Sequence, residues 1–318
     1  MELTDSQINY FVDNRLKLPK GKRAAYLAQV DTLIERFTAA CAGDPVINIK
    51  KFLKTGSLRK GTVLRPKGEF GVDADVAVFL NTTGSSYNLA NLHERIRRLL
   101  SKIYPTKRPE DFSIQPRTLG IVFRDSGLEM DLVPLIPIDG PGDFGWQPSS
   151  RGEAPVKTSV SQQLNFIRTR KDGYANFAAL VRLLKFWRNC QELDDSFRSF
   201  TIELIVSYLQ DVKGPPPSLE EGLLRFFNYV ADSELRKTIL FKECGTPTST
   251  PKDRVVILDP CNSENNVARR ITDQECTLII QKCNEAWETL TYARNHSGKV
   301  QTLELWKEAF DRSFVIEE

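Results

Sequence analysis

Two carboxylates inside an otherwise apolar run, Val72-Asp73-Ala74-Asp75-Val76-Ala77-Val78-Phe79-Leu80, constrain this chain more than any other feature. The run predicts a strand, and a strand sends successive side chains to opposite faces. Asp73 and Asp75 therefore share one side, while Val72, Ala74, Val76 and Val78 take the other. Like charges held this close repel, and a divalent cation or a shared proton is the usual means of keeping them together, magnesium being the simpler. Upstream stand Gly56-Ser57 and Lys60-Gly61-Thr62. Gly56 permits a tight turn and Ser57 offers a hydroxyl and an amide. Lys60-Gly61-Thr62 is expected to open a helical turn whose free N–H groups suit phosphate.

A hairpin is predicted downstream, with strands over 118–123 and 128–135 flanking the polar turn Arg124-Asp125-Ser126-Gly127. Its second strand sets Glu129, Asp131 and Val133 on one face and Met130 and Leu132 on the other. Pairing beside the first strand brings Asp131 to Asp73 and Asp75. Three carboxylates can hold two magnesium ions, roughly 4 Å apart in such sites, that clamp the attacking and leaving oxygens of an in-line displacement. A nucleotide hydroxyl then attacks an α-phosphate and pyrophosphate leaves. The chain has only His93 and His296, so metal activation of the hydroxyl is preferred to a histidine base. The bland alternative is that the aspartates cap or form salt bridges.

At 318 residues the chain exceeds the usual single core, which predicts two lobes with a cleft between them. Its 41% hydrophobic and 27% charged residues suit a folded globular protein, and no apolar stretch approaches a bilayer span. Without a signal-peptide pattern the expected location is cytoplasmic, with no membrane partner. The net charge of +3 lacks the footprint of a dedicated nucleic-acid binder, although a local basic patch leaves DNA or RNA binding open. Cys41, Cys190, Cys244, Cys261, Cys276 and Cys283 form no Cys-x-x-Cys pair, so no zinc is expected and the thiols read as reduced and mostly buried.

Helical spacing appears over 4–16, with Thr4 as N-cap, over 22–42, with Gly43 as a stop, and over 89–104. A loop rich in Gly and Pro, 138–152, marks the lobe boundary, giving residues 1–150 and 151–318 as the two lobes. Beyond it helices are expected over 159–170, 174–190, 200–212, 219–230 and 272–294, interrupted by one short strand at 255–258. Lys213-Gly214-Pro215-Pro216-Pro217 reads as a stiff connector. Arg182, Lys185 and Arg188 recur at three-residue spacing on one helix, and Lys185 suits phosphate as well as a solvated face. Ser199 and Phe200 begin the next helix, where a phosphate contact and a stacked base look the same as a cap and a core residue.

On Gly56-Ser57, Lys60-Gly61-Thr62, Asp73-Ala74-Asp75-Val76, Leu128-Glu129-Met130-Asp131-Leu132-Val133-Pro134, residues 180–187, Val256-Ile257-Leu258-Asp259-Pro260 and Asn265-Asn266-Val267, the chain resembles the bacterial CD-NTases. These are relatives of oligoadenylate synthetase and cyclic GMP-AMP synthase, and the chain looks most like their clade C members. The resemblance implies an α+β protein: a polymerase-β-like nucleotidyltransferase core with a mixed sheet, a mainly helical C-terminal lobe, and the active site in the cleft. It implies metal binding by Asp73, Asp75 and Asp131, phosphate contacts by Gly56, Ser57, Lys185 and Ser199, and base stacking by Phe200. It further implies a CBASS anti-phage synthase making a cyclic oligonucleotide from ATP, with or without other NTPs, such as cyclic tri-AMP. Two Mg2+ ions serve, with Mn2+ able to replace them, a HORMA-domain regulator is a partner, and an effector nuclease responds to the product. The rivals are a linear oligoadenylate or RNA-tailing enzyme and an inactive nucleotide-binding scaffold. The loop 65–71 is longer than in the family.

Overall fold

The computed structural model of the chain describes residues 1–42, 44, 47–66, 71–81, 91–249 and 251–317. The expected stop at Gly43, positions 67–70 of the loop before Asp73 and positions 89–90 of the third helix lie outside these. The chain forms two compact units, one of Leu18–Asn165 and one of Met1–Lys17 with Phe166–Glu318. The division therefore falls at 165/166 instead of 150/151, and the first helix goes with the C-terminal residues. Among the described residues no helix is long and apolar enough to cross a membrane.

In chain order the elements begin with α1 (Asp5–Phe11), α2 (Lys20–Cys41), β1 (Ile49–Thr55), α3 (Gly56–Lys60), β2 (Val72–Leu80) and α4 (Leu92–Ile103). There follow β3 (Phe112–Ile114), β4 (Leu119–Phe123), β5 (Leu128–Pro137), β6 (Gly145–Gln147), β7 (Val156–Thr158) and α5 (Val160–Gly173). The remainder is α6 (Phe177–Cys190), α7 (Ser199–Lys213), α8 (Leu219–Ser233), β8 (Leu258–Asp259), β9 (Asn262–Asn266), α9 (Asp273–Asn295) and α10 (Lys299–Ala309).

In the unit of Leu18–Asn165 the sheet runs β1-β2-β5-β4-β3, with β6 paired to β5 and β7 to β6. β2 and β5 are parallel and the other pairs antiparallel. The hairpin forms as predicted, closed by amides of Ser126 and Gly127 donating to the Phe123 carbonyl, with Gly127 in the left-handed region at φ 68°. One face of the sheet, through Val72, Ala74, Val76, Val78, Met130 and Leu132, is sealed by Tyr26, Val30, Leu33 and Phe37 of α2 and by Ile96 and Leu100 of α4. The opposite face is apolar only toward one end, where Ala77, Phe79 and Leu135 pack on Val160 at the start of α5. The rest of that face carries the acids. The loop expected over 138–152 also holds β6, a three-residue strand whose neighbouring glycines and prolines hid it from the pattern.

In the other unit Thr4 caps α1 through a reciprocal pair, the Gln7 amide donating to Thr4 Oγ1 at 3.3 Å and the Thr4 amide to Gln7 Oε1 at 3.0 Å. The helix continues as a π-helical turn, Val12–Leu16. This segment joins the C-terminal unit because Phe11 packs on Phe186 and Phe314, at centroid separations of 5.5 and 4.8 Å. Asp5 also accepts the Leu219 amide at 2.6 Å, closing the start of α8. The strand expected over 255–258 begins only at Leu258. The Asn266 side chain replaces a backbone partner, accepting the Ile257 amide at 3.0 Å and donating to the Val255 carbonyl at 2.8 Å. Cys41, Cys276 and Cys283 are buried, the other three thiols are half-buried, and none of the six is in a disulfide.

Candidate active site

Strand register builds the site. Thr55 pairs with Asp75, Asp75 with Asp131, Asp131 with Gly120 and Gly120 with Ser113, so one row crosses five strands on the face opposite the main core. One step along, Asp73 pairs with Glu129. Register partners in a sheet point to the same side. The sequence-predicted trio of Asp73, Asp75 and Asp131 is thus gathered on one surface, with Glu129 as a fourth carboxylate. Glu129 was legible as Asp131's same-face neighbour two residues earlier. Gly120 and Ser113 carried no such signal.

The electrostatics of this surface are unfavourable by construction. Asp131 is pushed up to about 7, first by burial and then by the charges of Asp75, Asp73 and Glu129, with Thr118 the one neighbour favouring the anion. Glu129 is raised by burial and by Asp73. Keeping Asp131 ionised at neutral pH costs a few kcal/mol on the usual conversion. As the side chains stand, no three His, Cys, Asp or Glu residues among those described close into an ion-sized cluster. The strands set the carboxylates side by side on one face. An all-carboxylate donor set whose anions are penalised fits a hard divalent cation, which would relieve that penalty.

Gly56 follows Thr55 directly and opens α3. Its φ is 68°, and a Cβ there would lie 1.7 Å from Asp75 Oδ2. Only glycine allows both the turn and the approach. Ser57 and Leu58 follow in the first turn of α3, with Ser57 half-buried. Lys60-Gly61-Thr62 closes this turn instead of opening one. Gly61, at φ 74°, and Thr62 both donate their amides back to the Ser57 carbonyl, so the N–H groups without an intrahelical acceptor are those of the first turn, Gly56 and Ser57 among them. Arg23 of α2 fastens the turn by donating to the Leu58 carbonyl at 3.3 and 3.0 Å.

Lys185, Ser199 and Phe200 belong to the other unit. Along α6, residues 180–188 are buried throughout, including Arg182, Lys185 and Arg188, which excludes a solvated face. Buried cations require partners. Arg188 donates to the Phe197 carbonyl at 3.0 Å, to Ser199 Oγ at 3.2 Å and to Asn189 Oδ1 at 2.6 Å. Ser199 at the start of α7 is thereby tied to α6, one turn from Lys185, and Phe200 beside it is half-buried.

No family model matches the chain. A CBASS oligonucleotide cyclase CdnC of Escherichia coli (strain KTE188) is 37% identical over 319 residues, covering 100% of this chain and 99% of that one. A cyclic AMP-AMP-AMP synthase of Escherichia coli (strain MS 115-1) is 32% identical over 311 residues, covering 96% and 95%. The solved structure of E. coli MS115-1 CdnC with ATP is similar at TM-score 0.83 and 31% identity, over 98% of this chain and 99% of that one. The same protein in its HORMA-deltaN complex gives TM-score 0.81 and 31% identity over 98% of each. Likeness at this level over both units bears out the α+β, polymerase-β-like fold with a helical C-terminal region. With the acid row on its sheet and relatives matched from end to end, the chain belongs to the CBASS oligonucleotide cyclases, nucleotidyltransferases of the CD-NTase family.

Proposed function

We propose that this enzyme joins ATP into a cyclic trinucleotide, cyclic tri-AMP, with magnesium, releasing pyrophosphate. The carrying observation is the row Thr55, Asp75, Asp131, Gly120 and Ser113, flanked by Asp73 and with Gly56 pressed against Asp75. Asp73, Asp75 and Asp131 would hold the ions, which when bound supply Lewis-acid stabilisation of the phosphoryl oxygens. Gly56 lets a triphosphate come close to the backbone, and Ser57 donates its hydroxyl and amide to it. Lys185 offers a cation to phosphate and Ser199 a hydroxyl, while Phe200 stacks on a base. Manganese serves in place of magnesium.

The cyclic AMP-AMP-AMP synthase among the relatives supports the ring size, and the CdnC structure with ATP supports the substrate. A HORMA-domain protein is the proposed regulator, supported by the CdnC complex. The product, made in the cytoplasm, would reach an effector nuclease by diffusion. Incubating the purified chain and a HORMA partner with each NTP and magnesium, followed by phosphatase treatment and mass spectrometry, tests this. Cyclic tri-AMP is expected from ATP. Linear oligoadenylate alone would overturn cyclisation by this chain.

A further inference from the structure

We propose that Ser113 is a positioning residue for Asp131, its hydroxyl serving the carboxylate through one water held in the opening left by Gly120. The inference rests on Asp131 as an ion ligand and adds a residue that holds it. Gly120 sits within β4 between buried Leu119 and Ile121, a place where glycine weakens a strand. Its φ is not among the positive ones, so backbone conformation does not require it. Space does. A Cβ at Gly120 would lie 2.3 Å from Ser113 Oγ and 3.2 Å from Asp131 Oδ1. The two oxygens are therefore no farther apart than those distances combined, the reach of one bridging water.

The neighbours agree. Phe112, beside Ser113, is in the main core, so alternation along β3 turns Ser113 to the acid face. Thr118, two residues before Gly120, turns a buried hydroxyl toward Asp131 and favours its anion. A donor pair of Ser113 and Thr118 around Asp131, with no side chain between, is an arrangement for fixing one carboxylate rotamer. Without it Asp131 must be ordered by the ion alone.

The test combines Mn2+ binding, followed by electron paramagnetic resonance on the full chain with a non-hydrolysable ATP analogue, with steady-state kinetics. Ser113→Ala and Ser113→Val should each weaken Mn2+ binding and lower kcat by about tenfold, the worth of one hydrogen bond to a charged group. KM for ATP should move by no more than about twofold, because the loss is not in substrate binding. Ser113→Thr should restore both. Gly120→Ala should lose at least as much alone, and less when added to Ser113→Ala, because the hydroxyl it displaces is already gone. Wild-type Mn2+ affinity and kcat in Ser113→Ala would overturn the inference, as would equal behaviour of Ser113→Val and Ser113→Thr. Wild-type Mn2+ affinity in Asp131→Asn would instead overturn the ion-ligand reading beneath it.

Discussion

Two carboxyl groups in this protein are pushed up to about 7, Asp131 on the sheet and Glu220 in α8, and the surroundings that do it are opposites. Burial is the first cause in both. Around Glu220 the rest is mostly repair: Oε2 accepts the Leu3 amide at 2.6 Å, and Arg294 favours the anion against Glu2. Around Asp131 three more carboxylates add to the penalty and only Thr118 opposes it. A single buried acid served by a backbone donor is a fastening for the chain. Several acids held against one another by strand register need a cation or a proton between them. A raised carboxyl pKa by itself does not mark an active site; the sign of what surrounds it does.

The contrast is broken most sharply by turnover. Asp75→Asn and Asp131→Asn should each lower product formation by about a thousandfold or more, whereas Glu220→Gln should stay within about threefold, as measured by mass spectrometry of the product. Equal losses at both places would erase the distinction. Gly56→Ala comes next, with an expected loss of about a hundredfold, because its Cβ would meet Asp75 Oδ2 at 1.7 Å and the positive φ adds strain.

Melting curves sharpen the comparison further. Saturating Mg2+ at pH 8 should raise the melting temperature of the wild type and of Glu220→Gln by a few degrees, and leave Asp131→Asn unmoved. The smallest effect is in pH. Both folded carboxyls lie above their unfolded values, so each contributes stability that is full below about pH 4 and lost as pH rises through about 7. Between pH 6 and 8 the metal-free protein should lose about 1.4 kcal/mol per group. Glu220→Gln and Asp131→Asn should each remove one such slope, and Mg2+ should remove that of Asp131 alone.

The acids and the Gly-Ser turn were legible in sequence because both are local. Alternation within β2 fixes the side on which Asp73 and Asp75 project, and a glycine before a serine announces a turn. Gly120 and Ser113 were not legible, since their meaning comes from pairing across β3, β4 and β5, which no period within one strand encodes. The misplacement of the strand at 255–258 has a related origin. Val, Ile and Leu supplied the pattern, but the Asn266 amide takes backbone bonds that a neighbouring strand would have made. The reversal at Lys60-Gly61-Thr62 shows the same limit at shorter range. A glycine suits either end of a turn, and here its left-handed backbone places it at the end.

The parallel pairing of β2 with β5 also governs when the enzyme comes into being. Asp75 and Asp131 are adjacent in the sheet, yet α4, β3 and β4 are all synthesised between them. A nascent chain that has released only β1, α3 and β2 carries the Gly-Ser turn and two of the acids without the strand that completes them. At that stage the proposed ion site lacks its third carboxylate. The proposed ion site is thereby assembled only after β5 has been made and paired beside β2.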